Sequence, residues 1–353
     1  FTPPSGGTNE RPYAPKPGEL YYNYDLKTIE FFDGNGWRQV DYTTSSGRVI
    51  IGGGYGSSGY PAGSPGTKGM QSIQIMSLGS SQYFGELNEN ATEQKGVASN
   101  TRAVFAGGYA SPARVNIMQY TTLASSGSGQ DFGNLTESRN GLMPSSSSTR
   151  GVYGGGFVQG SGINVVIDYI EISTLGDAID FGDLTTAKSG GQSANSPTRG
   201  VMLSGYHVPT STDYNQSDYI TIASKGNAVD FGGCDVRITG SGCGSSTRGI
   251  FAGGYVTNPS SVKIKNMEYI TFATFGNTIN FGDLTHTMLY TISGSTSTRG
   301  IFTGSGPASP FVSADVDYVS ISSLGDAIDW GDLSLGQAYG GGVSDSHGGL
   351  GGF

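Results

Sequence analysis

The chain is poor in charge, histidine and cysteine. Asp, Glu, Lys and Arg make up 13% of its 353 residues, with three His and two Cys. Three scattered histidines (His207, His286 and His347) and two cysteines cannot supply the clustered ligands of a zinc or copper site. Two cysteines also make no disulfide framework. Both Cys234 and Cys243 fall at small or apolar positions of a repeat and read as core residues, since free Cys packs as a hydrophobe. No apolar run reaches the length of about 18 residues that a membrane helix needs, and no signal peptide is visible. The chain begins at Phe1 without an initiator Met, which reads as processing or as part of something longer. Its net charge is −9, from 19 basic and 28 acidic residues; such a surface repels nucleic-acid backbones and anionic membranes.

Abundant features are Gly (60 residues), Ser, Thr and Tyr, with enough Leu, Ile, Val and Phe to exclude disorder. Patterning of this kind points to an all-β fold rich in tight turns. Self-similarity is strong. A Thr-Arg-Gly type motif recurs at Arg48, Arg102, Arg150, Arg199, Arg248 and Arg299, at intervals of 54, 48, 49, 49 and 51. A strand of Asp-Tyr-Ile type follows, centred on Ser72, Tyr120, Tyr169, Tyr219, Tyr269 and Tyr318. A strand of Phe-Gly-Asp-Leu type comes next, at Phe84, Phe132, Phe181, Phe231, Phe281 and Trp330. The second landmark precedes the third by 12 residues in all six repeats, whereas the Arg-to-Tyr spacing varies from 18 to 24. Nearly all length variation therefore sits in one connection per repeat.

Four short strands per repeat are the signature of propeller blades. Small residues suit the crowded strands near an axis, and the Phe or Trp suits the wider gap between blades. The expected fold is an all-β, seven-bladed propeller of four-stranded antiparallel blades, with six blades as the alternative. Residues 1–18, with five prolines, read as an extended linker, and 19–353 as one propeller domain. Within it 37–333 hold six repeats, while strands in 19–36 and 334–353 share the closing blade and hide both sheet edges.

The order of landmarks resembles the kelch repeat. The run from Thr149 through Leu184 resembles more closely the repeats of predicted tail-fibre and other virion proteins of marine bacteriophages, a resemblance covering residues 45 to 353. The segment Gly18-Glu19-Leu20-Tyr21-Tyr22-Asn23, ending near Gly36-Trp37, also resembles a short motif of phage fibre proteins. The resemblance implies a non-enzymatic virion module that contacts a bacterial surface glycan or protein and other virion proteins, on the virion surface; a homo-oligomer is an option. A secreted or cytosolic kelch-type scaffold, or a structural spacer, is the alternative.

Neither the copper set of the kelch-type galactose oxidase nor the Asp-box of sialidases has a counterpart here. No catalytic residue, cofactor or metal is expected. Paired carboxylates such as Asp180 and Asp183 recur in several repeats, and turn hydrogen bonding explains them better than glycoside hydrolysis. The six arginines read as packing residues between blades, with an anion-binding ring as the alternative. Strand alternation places the variable connections on one face, the side where repeat proteins carry binding insertions. These connections offer Tyr60, Tyr109, Arg114, Tyr206, His207, Tyr214, Tyr255, Lys263 and Phe311 as candidate ligand contacts.

Overall fold

In the computed structural model, which describes residues 2–25, 28–32, 34, 37–40, 47–56, 67–207, 212–257, 262–306 and 312–346, the described backbone is strand and turn apart from a short 3-10 helix at Thr8–Glu10. The chain divides into two compact units, Phe1–Ser45 and Ser46–Phe353.

The first unit is a small sheet in which Ser5–Gly6 pairs in parallel with Leu20–Asn23, followed by Thr28–Phe32 and Trp37–Val40. The alternation in Leu20–Asn23 buries Tyr21, whose ring lies 5.7 Å from Trp37. Glu30 is buried too, and it is neutralised by a two-pronged contact from Arg11 at 2.6 and 2.7 Å and by Asn23 at 3.0 Å. The proline-rich start is therefore not only a linker: Ser5–Gly6 adds a strand and Arg11 neutralises a buried acid.

Among its described residues the second unit holds six main sheets, one for each repeat, each running inner, Arg, Tyr and Phe strand in antiparallel order; the sixth gains a short parallel fifth strand at its outer edge. Sheet 2 is Lys95–Ala98, Arg102–Ala106, Ile117–Thr122 and Gln130–Asn134; sheet 3 is Met143–Ser146, Arg150–Gly154, Val166–Glu171 and Ile179–Asp183. Sheet 4 is Gln192–Asn195, Arg199–Leu203, Gln216–Thr221 and Val229–Gly233; sheet 5 is Ser241–Gly244, Arg248–Ala252, Asn266–Thr271 and Ile279–Asp283. Sheet 6 is Leu289–Ser295, Arg299–Ser305, Asp315–Ser320 and Ile328–Asp332. Sheet 1 takes Arg48–Gly52, Gly69–Gln74 and Gln82–Glu86 from the first repeat and its inner strand, Gly341–Ser344, from the C-terminal end.

That strand corrects the expected sharing of one blade by the two ends. Gly341–Ser344 pairs with Arg48–Gly52, so it fills the first-strand position of the first repeat; among the described residues, Leu20–Asn23 and Thr28–Phe32 pair within the first unit's own sheet. Residues 348–353, expected as a second strand of that blade, lie outside the described residues.

Three devices join each sheet to the next. First, the inner strands pack side by side: Gly341–Ser344 lies against Lys95–Ala98 on one side and Leu289–Ser295 on the other, and the series continues through sheets 3, 4 and 5. Small residues there let backbones converge. Second, the repeat arginines of sheets 2 to 6 stack on the Tyr of their own sheet, with Arg102 4.4 Å from the Tyr120 ring centre and Arg299 4.6 Å from Tyr318; sheet 1 has Ser72 in place of the Tyr. The same guanidinium donates to a carbonyl of the following sheet: Arg102 to Ile172 at 2.8 Å, Arg150 to Ile222 at 3.1 Å, Arg248 to Ile321 at 2.8 Å and Arg199 to Phe272. Arg48 reaches Leu123, and Arg299 of sheet 6 reaches Ile75 of sheet 1 at 2.9 Å.

The third device covers the outer edges. The Phe or Trp of each outer strand is buried at a β-bulge, and in sheets 2 to 5 the Phe packs against the Tyr ring of its own sheet, edge-on at 5.9 Å for Tyr169 and Phe181. The glycine after it faces the turn of the next sheet: a Cβ on Gly182, at φ +148°, would lie 2.5 Å from the carbonyl oxygen of Gly226. That closeness lets Gly226 N donate to Phe181 O at 2.9 Å and Ala228 N to Asp183 O at 2.8 Å, which satisfies the free edge. Sheet 6 receives the same cover from Gly79–Ser80 of the first repeat.

Beneath the turns lie buried ion pairs that the sequence disguised as surface charge. Arg139 meets Asp168 at 2.6 Å, Lys188 meets Asp218 at 3.2 Å and Arg237 meets Glu268 at 3.1 Å, with all six side chains at most 5% exposed. Sheet 6 keeps the acid, Asp317, anchored by Thr285, but Met288 stands where Lys188 stands in sheet 4.

Candidate functional site

The variable connections form short hairpins beyond the Arg and Tyr strands. Tyr109–Ala110 pairs with Ala113–Arg114, Phe157–Val158 with Gly162–Ile163, Tyr206–His207 with Thr212–Asp213, and Tyr255–Val256 with Val262–Lys263. Bridges from Tyr109 to Thr92, Tyr206 to Ser189 and Tyr255 to Ile238 fasten these hairpins to the chain entering each inner strand. The hairpins and these entries therefore share one face.

The candidate residues form local clusters on that face. Tyr109 lies opposite Arg114, whose guanidinium covers Phe157 of the next sheet at 4.1 Å. His207 lies 5.4 Å from Tyr214; it bonds Ala187 O at 2.8 Å, and the Tyr214 hydroxyl bonds Gln216 at 2.6 Å. Tyr255 is opposite Lys263. Tyr60 and Phe311 lie outside the described residues.

The inner strands enclose a narrow channel of about 100 Å³, lined by residues such as Gly96, Ser193, Gly242, Ser293 and Gly342. Its lining includes Gly191, Gly240 and Gly340, at the entries to the inner strands, and these entries form its mouth.

The mouth is built from one repeated backbone feature. Two residues before five of the inner strands, and at the second residue of the sixth (Leu289–Ser295), the chain turns left-handed, at Glu93 (φ 58°), Gly141 (68°), Gly190 (68°), Thr239 (60°), Tyr290 (49°) and Tyr339 (62°). Backbone hydrogen bonds link them in sequence: Glu93 to Tyr339 at 2.6 Å, Tyr339 to Tyr290 at 3.2 Å, Thr291 to Thr239 at 3.0 Å, Thr239 to Gly190 at 2.8 Å and Gly190 to Gly141 at 2.9 Å. The side chain of Asn140 spans the sixth interval, donating to Glu93 Oε2 at 2.8 Å, while Arg114 Nε donates to Asn140 Oδ1 at 2.7 Å.

The mouth is lopsided as a result. Tyr290 and Tyr339 stack with ring centres 3.4 Å apart, and Tyr55 packs edge-on to Tyr339 at 5.1 Å. Glu93 follows next around the mouth, and two glycines stand opposite. Burial pushes the Glu93 carboxyl above its usual range against the pull of Lys95, Asn140 and Arg114, and burial lowers the Lys95 ammonium. The sequence search found Arg114 but missed Glu93, Lys95, Tyr290 and Tyr339. Their signal is subtle: one register at which some repeats carry Gly and others do not.

Other chemistry finds little support among the described residues. Asp180 and Asp183 are exposed on an outer strand, where the Asp183 N–H donates to Asn227. Burial raises both Cys234 and Cys243 to about 12, so these thiols are inert near neutrality. His286 faces Asp315 at 3.6 Å, and no group of three His, Cys, Asp or Glu able to hold a metal occurs among the described residues. No protein-family model and no curated protein matches the chain.

Proposed function

We propose that residues 46–353 form a six-bladed β-propeller, closed by the C-terminal inner strand, whose hairpin face recognises a glycan or protein on a bacterial surface. The chain then serves as a non-enzymatic tail-fibre or appendage module of a phage virion. One observation carries this reading. Strand lengths and inter-sheet joints repeat almost unchanged around the unit, while length and chemistry differ from repeat to repeat in the hairpins of one face. Tyr109, Tyr206, Tyr214 and Tyr255 combine flat apolar area with hydroxyl hydrogen bonding, the composition of adaptable binding loops.

A scaffold or spacer role is favoured by a different feature. The turns at the opposite end of the sheets carry exposed Leu78, Leu175, Phe275 and Leu324, apolar groups suited to packing against another virion protein.

Binding of the purified chain to a panel of bacterial cells and their extracted polysaccharides separates the two. Strain-selective binding that falls at least tenfold in Tyr206→Ala/Tyr214→Ala is expected. Binding to no strain, or binding indifferent to the hairpin change, would favour the scaffold.

A further inference from the structure

The four side chains at the mouth stand where glycine would serve the backbone better. A left-handed residue other than glycine carries a conformational penalty, largest for a β-branched or bulky one. Sheets 3 and 4 avoid it with Gly141 and Gly190 in the same position. Tyr290, Tyr339 and Glu93 accept it side by side. Strain concentrated at one end of a channel points to side chains retained for contact with something outside the fold. Across from them a Cβ at Gly190 would meet nothing within 4 Å, so the mouth is open on that side.

The chemistry of the three sides defines the occupant. The tyrosines offer a flat apolar wall, suited to the face of a pyranose ring. Glu93, Asn140 and Arg114, already joined at 2.8 and 2.7 Å, form a relay of donors and acceptors suited to sugar hydroxyls. The Lys95 ammonium lines the channel just inside; its charge acts on Glu93, and it donates no hydrogen bond among the described residues. Arg114, stacked over Phe157, also acts on Glu93, and its terminal nitrogens donate no hydrogen bond there. Two cations set against one carboxylate leave a positive charge over, and that excess marks the place for an anion.

Resting on the recognition role of the hairpin face, we infer that the mouth is a subsite for one acidic sugar residue. Its ring packs against the tyrosine wall, its hydroxyls meet Glu93 and Asn140, and its carboxylate faces Lys95 and Arg114.

The test is calorimetric titration of the full chain with glucuronate- and galacturonate-containing oligosaccharides and with their carboxyl-reduced counterparts. The acidic sugars are expected to bind at least tenfold more tightly. Glu93→Gly and Tyr339→Gly should keep or raise the melting temperature, because they restore the residue that sheets 3 and 4 use, yet weaken binding at least tenfold. Lys95→Met, which installs the side chain that sheet 3 carries at Met143, should abolish the preference for the acid. Equal binding of reduced and acidic sugars, or glycine variants that melt lower and bind unchanged, would overturn the inference. Strain-selective cell binding without binding to any acidic oligosaccharide would defeat this subsite while leaving the hairpin face intact; loss of both would defeat the recognition reading too.

Discussion

At the residue scale, glycine does more than permit tight turns. Gly182 faces Gly226 across the gap between sheets 3 and 4, and the same facing pair recurs as Gly133 with Gly176, Gly232 with Gly276 and Gly282 with Gly325. A side chain on the strand glycine would hold the next turn off the bulged strand and leave its edge unpaired, whereas a Cβ on the turn glycine would meet nothing within 4 Å. Gly182→Ala is expected to destabilise the second unit by more than about 2 kcal/mol in urea unfolding, from positive φ and from overlap with the Gly226 carbonyl. Asp317 makes a different prediction. Burial raises its carboxyl above the usual range, against hydrogen bonds from Thr285 and the pull of His286, and Met288 stands where Lys188 pairs with Asp218. The folded state therefore holds this proton more tightly than the unfolded chain does. Its contribution is fully present below the ordinary carboxylate range and is lost as pH rises through the raised value. The stability of Asp317→Asn relative to the parent should increase between about pH 4 and pH 8; a pH-independent difference would contradict the assignment.

At the scale of elements, the repeat arginine is an inter-sheet joint. Arg199 stacks 4.8 Å from the ring centre of Tyr219 and 5.3 Å from Phe275 of the next sheet, while its guanidinium holds the Phe272 carbonyl. Arg199→Met should cost about 1–3 kcal/mol in denaturant unfolding, the sum of a desolvated cation–π contact and a charge-assisted hydrogen bond. Loss below about 0.5 kcal/mol would place the joint elsewhere. The Arg, Tyr and Phe positions were legible in the sequence because each recurs about once per repeat, the last two at a constant spacing of 12, and each is large. The acceptors were not, since backbone carbonyls leave no mark on a sequence. The buried pairs Arg139–Asp168, Lys188–Asp218 and Arg237–Glu268 escaped for a related reason: a lone charge in a turn reads as solvated until its partner, about 30 residues on in the chain, is placed beside it. The mouth was hidden most completely, because φ decides it and neither Glu93 nor Tyr339 belongs to any repeat motif.

At the scale of the whole chain, the misread feature was closure. Phe31 precedes Arg48 by 17 residues, the interval that separates Phe231 from Arg248, so the N-terminal hairpin looked like half a blade. Inner strands carry the weakest sequence signal, being made of Gly, Ser and Ala, and only pairing shows that Gly341–Ser344 completes sheet 1. With that place filled, the strands of residues 20–40 make a sheet of their own. The hairpin face and the channel mouth both depend on the last sheet being held to the first. Trp330 reports on that junction directly, since its buried indole donates to Ile75 O of sheet 1 at 3.3 Å. The decisive measurement is Trp330 emission during thermal unfolding, in a Trp37→Phe background, for the full chain and for a chain ended after Gly340. A closed ring requires the shortened chain to lose its blue-shifted emission and cooperative transition, because an open inner position frees sheet 1 from sheet 6. An unchanged spectrum and midpoint would mean that the C-terminal strand closes nothing, and that the six sheets do not stand as one ring.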